Sequence, residues 1–275
     1  MTLERRTWRT LEPLHGMIYF SPEASAAYER LGLTDRMGYF ASRAAALGPV
    51  PAEVVIATFY NFNPALVRQA IPAAWQVASP ADIIAARLGS VDATLRRVLG
   101  DVVDSPEMSR AAGLAVRAAD AVAGDLHGRP LYAAHAALPW PDAPHLVLWH
   151  AQTLLREYRG DAHLATLLAA GLSGIEALVT HAATGAVPAE VLRVTRGWTE
   201  ADWATAVQGL EERGWLRDGG LTEEGAKRRT EIEDGTDRLS ATPYAALGAD
   251  GCEELRSLVR PWSKRLVAEL MPWAA

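Results

Sequence analysis

Apolar positions recur three and four residues apart through almost all of residues 1–185, and strand-type alternation is scarce before residue 215. This pattern predicts helices, and start signals divide them. Ser21-Pro22-Glu23, Asn63-Pro64, Ser79-Pro80-Ala81-Asp82 and Ser105-Pro106-Glu107 each put a side-chain oxygen at an N-cap and proline at the first helical position. Alanine, the best helix former, is abundant in between. One stretch stands apart. In LLREYRGDAHLATLL, residues 154–168, Gly160-Asp161 separates two apolar-periodic segments. The pattern predicts that one helix ends near Gly160 and that Asp161 caps the next.

Two stretches are alike. Arg43-Ala44-Ala45, Pro49 and Val54-Val55-Ile56 have a counterpart in His135-Ala136-Ala137, Pro141 and Leu146-Val147-Leu148, with Tyr39 and Tyr132 shortly before each. Either Ala-rich helices match by chance, or residues 36–100 and 129–185 are an internal duplication. A duplication predicts two helical lobes facing each other, with Arg43 and His135, and Thr58 and His150, converging on one cleft.

The last third changes character. Gly185 to Pro188 reads as a boundary. A short helix over 189–196, a turn at Gly197 and a capping-box-like start at Thr199-Glu200-Ala201-Asp202 follow. The next helix, through Trp203, Val207 and Leu210, ends at Arg213-Gly214. Asp218-Gly219-Gly220 between apolar residues predicts a hairpin, and a charged helix runs from Glu224 to Leu239.

Leu210-Glu211-Glu212-Arg213-Gly214-Trp215-Leu216 with Asp218-Gly219-Gly220-Leu221-Thr222-Glu223-Glu224-Gly225 resembles the recognition-helix end and wing of MarR-type winged helix-turn-helix proteins, over roughly residues 186–240. The whole chain resembles a family of largely uncharacterised actinobacterial proteins named for this C-terminal helix-turn-helix. The segments that carry that likeness are Gly38-Tyr39-Phe40-Ala41, Phe59 to Pro64, Leu155 to His163 and Gly197-Trp198-Thr199. The family pattern has histidine at the position of Tyr158 and glycine at Ala162; the chain departs from it at both. The resemblance implies a fold and carries no activity. The expected class is mainly α: a helical two-lobed ligand-binding part over 1–185, then a winged-helix-like module with a small β-hairpin plus C-terminal helices over 186–275.

Charge changes the picture for the winged module. Residues 186–240 hold 8 Lys/Arg and 12 Asp/Glu, and the first turn of the candidate reading helix carries Glu200 and Asp202. Affinity for DNA rests on phosphate neutralisation, so this composition disfavours DNA as a partner without excluding it. The whole chain has a net charge of −6, which argues against unaided attraction to nucleic acid or an anionic membrane. The longest apolar run, Leu164 to Val179, is broken by Ser173 and Glu176 and is short for a membrane span. A single cysteine, Cys252, rules out an internal disulfide and a cysteine zinc site. MTLERRTWRTLEP lacks the apolar stretch of a signal peptide, so a cytoplasmic location is expected.

No nucleotide-binding glycine motif, phosphate loop, His-Glu-x-x-His or Gly-x-Ser-x-Gly occurs. No metal ligand set is matched, and no cofactor follows from the residues. Candidate chemistry concentrates near residue 160. Arg156 and Arg159, at i and i+3, share a helix face and can bind a carboxylate, phosphate or phenolate. His163 can pass a proton near neutral pH, and His163 and Asp161 would orient the site or, in an enzyme, do its acid–base chemistry. Against this, Arg159 can simply pair with Asp161 or Glu157, and His163 can be a packing residue. Arg43, in an Ala-rich helix, needs a partner, and an acidic ligand would be one. Phe59 and Phe62 are expected in the core. Tyr60, His135, Trp149 and His150 complete the candidate ligand-binding set.

The leading expectation is a pocket between the lobes for an anionic or aromatic small molecule, followed by a degenerate winged helix. The alternatives are a ligand-responsive, homodimeric DNA-binding regulator of MarR type, and a biosynthetic or detoxifying enzyme with His150 or His163 as its acid–base group.

Overall fold

The computed structural model describes residues 2–271. Ten helices precede the winged module: α1 (Leu3–Gly16), α2 (Pro22–Arg30), α3 (Asp35–Ala44), α4 (Ala52–Phe59), α5 (Pro64–Ala70), α6 (Ala74–Val77), α7 (Pro80–Leu99), α8 (Pro106–Asp120), α9 (Pro130–Ala136) and α10 (Pro144–Ala169). The four start signals operate as the sequence predicts. Ser21, Asn63, Ser79 and Ser105 accept backbone N–H bonds of 2.8–3.1 Å from Ala24, Ala65, Asp82 and Met108. Each satisfies one of the donors that a helix start leaves unpaired.

The winged module is built from α11 (Gly174–Ala182), α12 (Ala189–Thr195), α13 (Glu200–Glu212), β1 (Leu216–Arg217), β2 (Gly220–Leu221) and α14 (Glu223–Leu239). Thr199 and Asp202 form a reciprocal capping box at the start of α13. In the hairpin Leu216 pairs with Leu221 and Arg217 with Gly220. Its two turn residues, Asp218 and Gly219, have φ of 51° and 77°, the left-handed pair that a two-residue hairpin requires. The architecture is mainly α with one small hairpin, the class the sequence predicts.

The two larger of three hydrophobic clusters among the described residues follow this division. Leu11, Phe40, Val55, Leu95, Leu148 and Leu255 belong to the larger one. Leu167, Val179, Leu210, Trp215, Leu216 and Ile232 belong to the core of the winged module. The last helix, α15 (Thr242–Leu270, kinked at Gly248), packs on α1 and α8. The C-terminal helices that the pattern groups with the winged module therefore return to the N-terminal core. No single described helix is long and apolar enough to cross a membrane.

The expected break at Gly160-Asp161 is absent. α10 runs unbroken from Pro144 to Ala169 and packs against α1, α8, α9 and α14. A glycine inside a helix costs only about 1 kcal/mol relative to alanine, which packing on several sides overrides. The chain turns eleven residues later, at Gly171, where φ is 66°. There Leu172 N–H bonds back to the Leu167 carbonyl (3.1 Å), and Ser173 and Glu176 form a capping box that opens α11. Gly174 sits so close to the loop after α4 that a Cβ would lie 1.9 Å from the Tyr60 carbonyl oxygen. That close approach brings the end of α4 against α11 and closes one side of the candidate site.

Candidate functional site

A cavity of about 400 Å³ lies where α1, α3, α4 and α10 of the larger core meet α11, α14 and the end of α12. Its volume falls in the range of small-molecule sites, roughly 300–1,000 Å³. Six predicted residues line it: Arg43, Tyr60, Arg156, Arg159, Asp161 and His163. Thr58, Phe59 and Phe62 do so as well. The two phenylalanines are buried, as expected of core residues, but each also faces the cavity.

The α10 wall is electrostatically closed. Arg156 pairs with Glu12 on α1 (3.0 Å) and with Glu157 (2.9 Å). Arg159 pairs with Asp237 on α14 (2.7 Å), donates to the Ser240 hydroxyl (3.0 Å) and lies 4.7 Å over the Trp8 ring. The partner of Arg159 is thus neither Asp161 nor Glu157. Asp161, inside α10, does not cap its own helix. Its carboxylate accepts from Tyr132 N–H (2.9 Å) and so caps α9 from across the interface. Burial, partly offset by that bond, pushes its pKa up to about 6. His163 Nδ1 lies 2.9 Å from the Thr236 hydroxyl of α14, and burial pushes its pKa down to about 4. It is a neutral imidazole near pH 7.

Two further arginines line the cavity without such pairing among the described residues. Arg43 donates to the Tyr39 phenol oxygen (2.9 Å) and lies 4.3 Å over the Phe59 ring. Arg196, just after α12, donates to the Thr195 hydroxyl (2.9 Å) and lies 4.9 Å over Phe62. Neither guanidinium has a carboxylate within ion-pair distance among the described residues. The Nε atoms of both are buried and unbonded. Burial lowers the pKa of Arg196; Tyr39 opposes this and Arg43 adds to it. Cations placed against aromatic faces gain something from the rings, but a partly buried arginine without a paired carboxylate keeps charge and donors suited to an anion.

Three predicted residues lie outside the cavity. Trp149 is buried and stacks on His15 at 5.8 Å. His150 packs edge-to-face against Trp140 at 4.7 Å, and burial holds its pKa at about 4. His135 is buried behind the lining, where burial takes its pKa to about 3. Arg43 and Thr58 therefore share a cleft that His135 and His150 do not enter. Tyr60 is on the wall, but its phenol is engaged by the Leu172 carbonyl. Tyr158, where the resembled family has histidine, is buried against Tyr132 and under Arg129, and does not line the cavity.

Sequence reasoning missed Tyr39, Arg196, Trp8 and Glu12 as lining residues. Tyr39 had a signal, since it stands one helical turn before Arg43. Arg196 had none, because the cavity residues that act on its guanidinium, Phe62, Tyr39 and Arg43, lie more than 130 positions away.

The exposed face of α13 offers Glu200, Glu211, Glu212, Thr205 and Gln208. Arg213, at its end, is paired with Glu176. Trp203 is packed into the module core, and the Trp198 indole donates to the Asn61 carbonyl (2.9 Å). The turn between α12 and α13 is further tied to the larger core by Asn63 N–H to the Arg196 carbonyl (2.9 Å) and by Arg36 to the Thr195 carbonyl (2.9 Å).

Residues 4–272, nearly the whole chain, match the model of a helix-turn-helix family. The match takes in the cavity-bearing helices together with the winged module. Comparison with curated proteins gives no match, and comparison with solved structures gives none.

Proposed function

The chain belongs to a helix-turn-helix family, and from that premise we propose that it binds a small anionic, aromatic-bodied molecule in the cavity between its helical part and its winged module. The observation that supports this reading is the corner formed by Arg43 and Arg196. Two partly buried guanidiniums without carboxylates, set against Phe59 and Phe62, suit a carboxylate or similar anion attached to a flat apolar body. Arg156 and Arg159 are already neutralised and hold the wall in place. The single buried cysteine is compatible with action in the cytoplasm.

The test is a calorimetric titration of the full chain with aromatic carboxylates from benzoate to indole-3-acetate. At least one is expected to bind, and an Arg43→Ala/Arg196→Ala double variant to bind it about tenfold or more weakly, the loss of at least one charge-assisted bond. No binding by the wild type, or undiminished binding by a folded double variant, sinks the reading.

A second reading, a ligand-responsive DNA-binding regulator of MarR type acting as a symmetric dimer, is favoured by the family and by one observation. Arg196 stands at the turn between α12 and α13, so a cavity ligand touches the helix-turn-helix itself. The acidic face of α13 weighs against it. Duplex DNA titrated at low and moderate salt separates the two. Binding with a steep inverse dependence on salt supports the regulator, and no binding at low salt removes it.

A further inference from the structure

We propose that Tyr39 is the acid–base group of this cavity: its phenol oxygen, held by Arg43 beside the anion site, exchanges a proton with the ligand, and in its ionised form takes one from an acidic O–H or C–H of the anion bound there. The inference rests on the anion-binding reading of the same cavity and adds a chemical capacity to it. Tyr39 projects from α3 one turn before Arg43, and its oxygen accepts from Arg43 Nη1 at 2.9 Å. An arginine has no acceptor, so this bond consumes a lone pair of the phenol and leaves its proton unplaced. Among the described residues no other hydrogen bond engages that oxygen.

The charges around the ring are mostly of one sign. From its own helix comes Arg43; from the end of α12, Arg196; from α10, Arg156, with the carboxylates of Glu157 and of Glu12 on α1 tied to Arg156. Tyr19, following α1, lies 5.5 Å away ring to ring. On its other side Tyr39 borders a smaller cavity of about 260 Å³, to which α2 contributes Tyr28 and Glu29. Burial resists ionisation of the phenol, but Arg43, Arg196 and Arg156 outweigh it and leave the pKa lowered. The histidines of the sequence reading serve this role less well. His150 and His135 do not reach the cavity, and His163 is a weak base occupied by Thr236.

The step balances without a co-reactant. The ligand's O–H or C–H bond breaks, its electron pair stays on the ligand, and the proton forms the Tyr39 O–H. The negative charge moves from phenolate to ligand within reach of the same guanidiniums, so the total charge of the site is unchanged. A ligand of this class is an anion that carries a second, weakly acidic proton next to the group held by arginine.

Tyrosinate absorbance, followed in the full chain from neutral to alkaline pH, tests this without knowledge of the ligand. Of the seven tyrosines, one is expected to ionise ahead of the ordinary value of about 10, and Tyr39→Phe to lack that step alone. Should Tyr39→Phe fail to fold, Arg196→Gln keeps the phenol and is expected to move the step upward by about one pH unit, the effect of removing one nearby cation. Saturating inorganic phosphate is expected to move it in the same direction. A Tyr39→Phe curve that superimposes on the wild type, or a step unmoved by Arg196→Gln, overturns the proposal. Either result leaves the anion-binding reading to its own calorimetric test.

Discussion

Four arginines stand on the wall of one cavity, and they divide into two pairs. Arg156 and Arg159, both on α10, are each locked to carboxylates of neighbouring helices. Arg43 and Arg196 come from segments 153 positions apart in the numbering and, among the described residues, bond only to hydroxyl oxygens and lie against aromatic faces. The first pair fastens α1 and α14 to α10, so its charges serve the fold. The second pair has no carboxylate within ion-pair distance among the described residues, with Glu157 acting on Arg43 only from farther off, and natural proteins keep such groups where something else compensates them. A buried charge is thus informative about function only after its counter-charges have been counted.

The comparison breaks most sharply at Arg159. Arg159→Ala leaves Asp237 nine-tenths buried with its main counter-charge removed, and breaking a buried pair from one side typically costs about 3–5 kcal/mol. Chemical denaturation is expected to show a loss of that order. Arg43→Ala, which orphans no carboxylate, is expected to change stability by less than about 1 kcal/mol while removing affinity for the anion. Equal destabilisation by the two substitutions would erase the distinction between the pairs.

How much of this was legible beforehand follows from the range of each interaction. Caps and the hairpin turn are local, and Ser21, Ser79, Ser105 and Asp218-Gly219 act where the sequence places them. The break at Gly160 failed because local propensity there is weak against packing from four helices. Arg156 and Arg159 share a helix face, which spacing shows. That their partners are Glu12 and Asp237, 144 residues upstream and 78 downstream, it cannot show. Arg43 stood out because an arginine among alanines demands a partner, and that argument needed no tertiary knowledge. Trp149 and His150 were misplaced because an apolar helix packed on several sides gives periodicity no means of selecting one face.

A smaller effect sharpens the contrast between charges that stabilise the fold and one that does not. Asp161 is buried without a cation bonded to it and caps α9 instead. Its folded pKa, about 6, lies above its ordinary value of 3.8. The folded state therefore binds more protons between these values, and the stability this contributes is fully present below about 4 and lost as pH rises through about 6. Asp161→Asn keeps an acceptor for the α9 N–H without the charge. It is expected to be more stable than the wild type by about 1–3 kcal/mol at neutral pH, with the gain closing as pH falls toward 4. A gain independent of pH would place the effect elsewhere than in ionisation.

His163, two positions on, carries the opposite sign. Burial pushes its folded pKa to about 4, below its ordinary 6.5, so the unfolded chain binds more protons in that interval and stability is lost as pH falls through it. Glutamine at 163 retains a polar contact for Thr236 and cannot be protonated. His163→Gln is expected to be within about 1 kcal/mol of the wild type at neutral pH and to gain on it as the solution is acidified, by about 1–2 kcal/mol near pH 4 after allowance for the compensating charge of Glu233. Asp161→Asn and His163→Gln together should therefore give denaturation-midpoint curves that diverge from the wild type at opposite ends of the same interval. Two carboxylate-free arginines remain untouched by either change. If His163 were the proton-transferring group, its imidazole would have to stay basic enough to accept a proton near neutral pH, and the wild type would show no such acid sensitivity. A flat difference between the His163→Gln and wild-type profiles would return the histidine to contention, whereas a sloping one assigns it to the fold and leaves proton transfer to the phenol across the cavity.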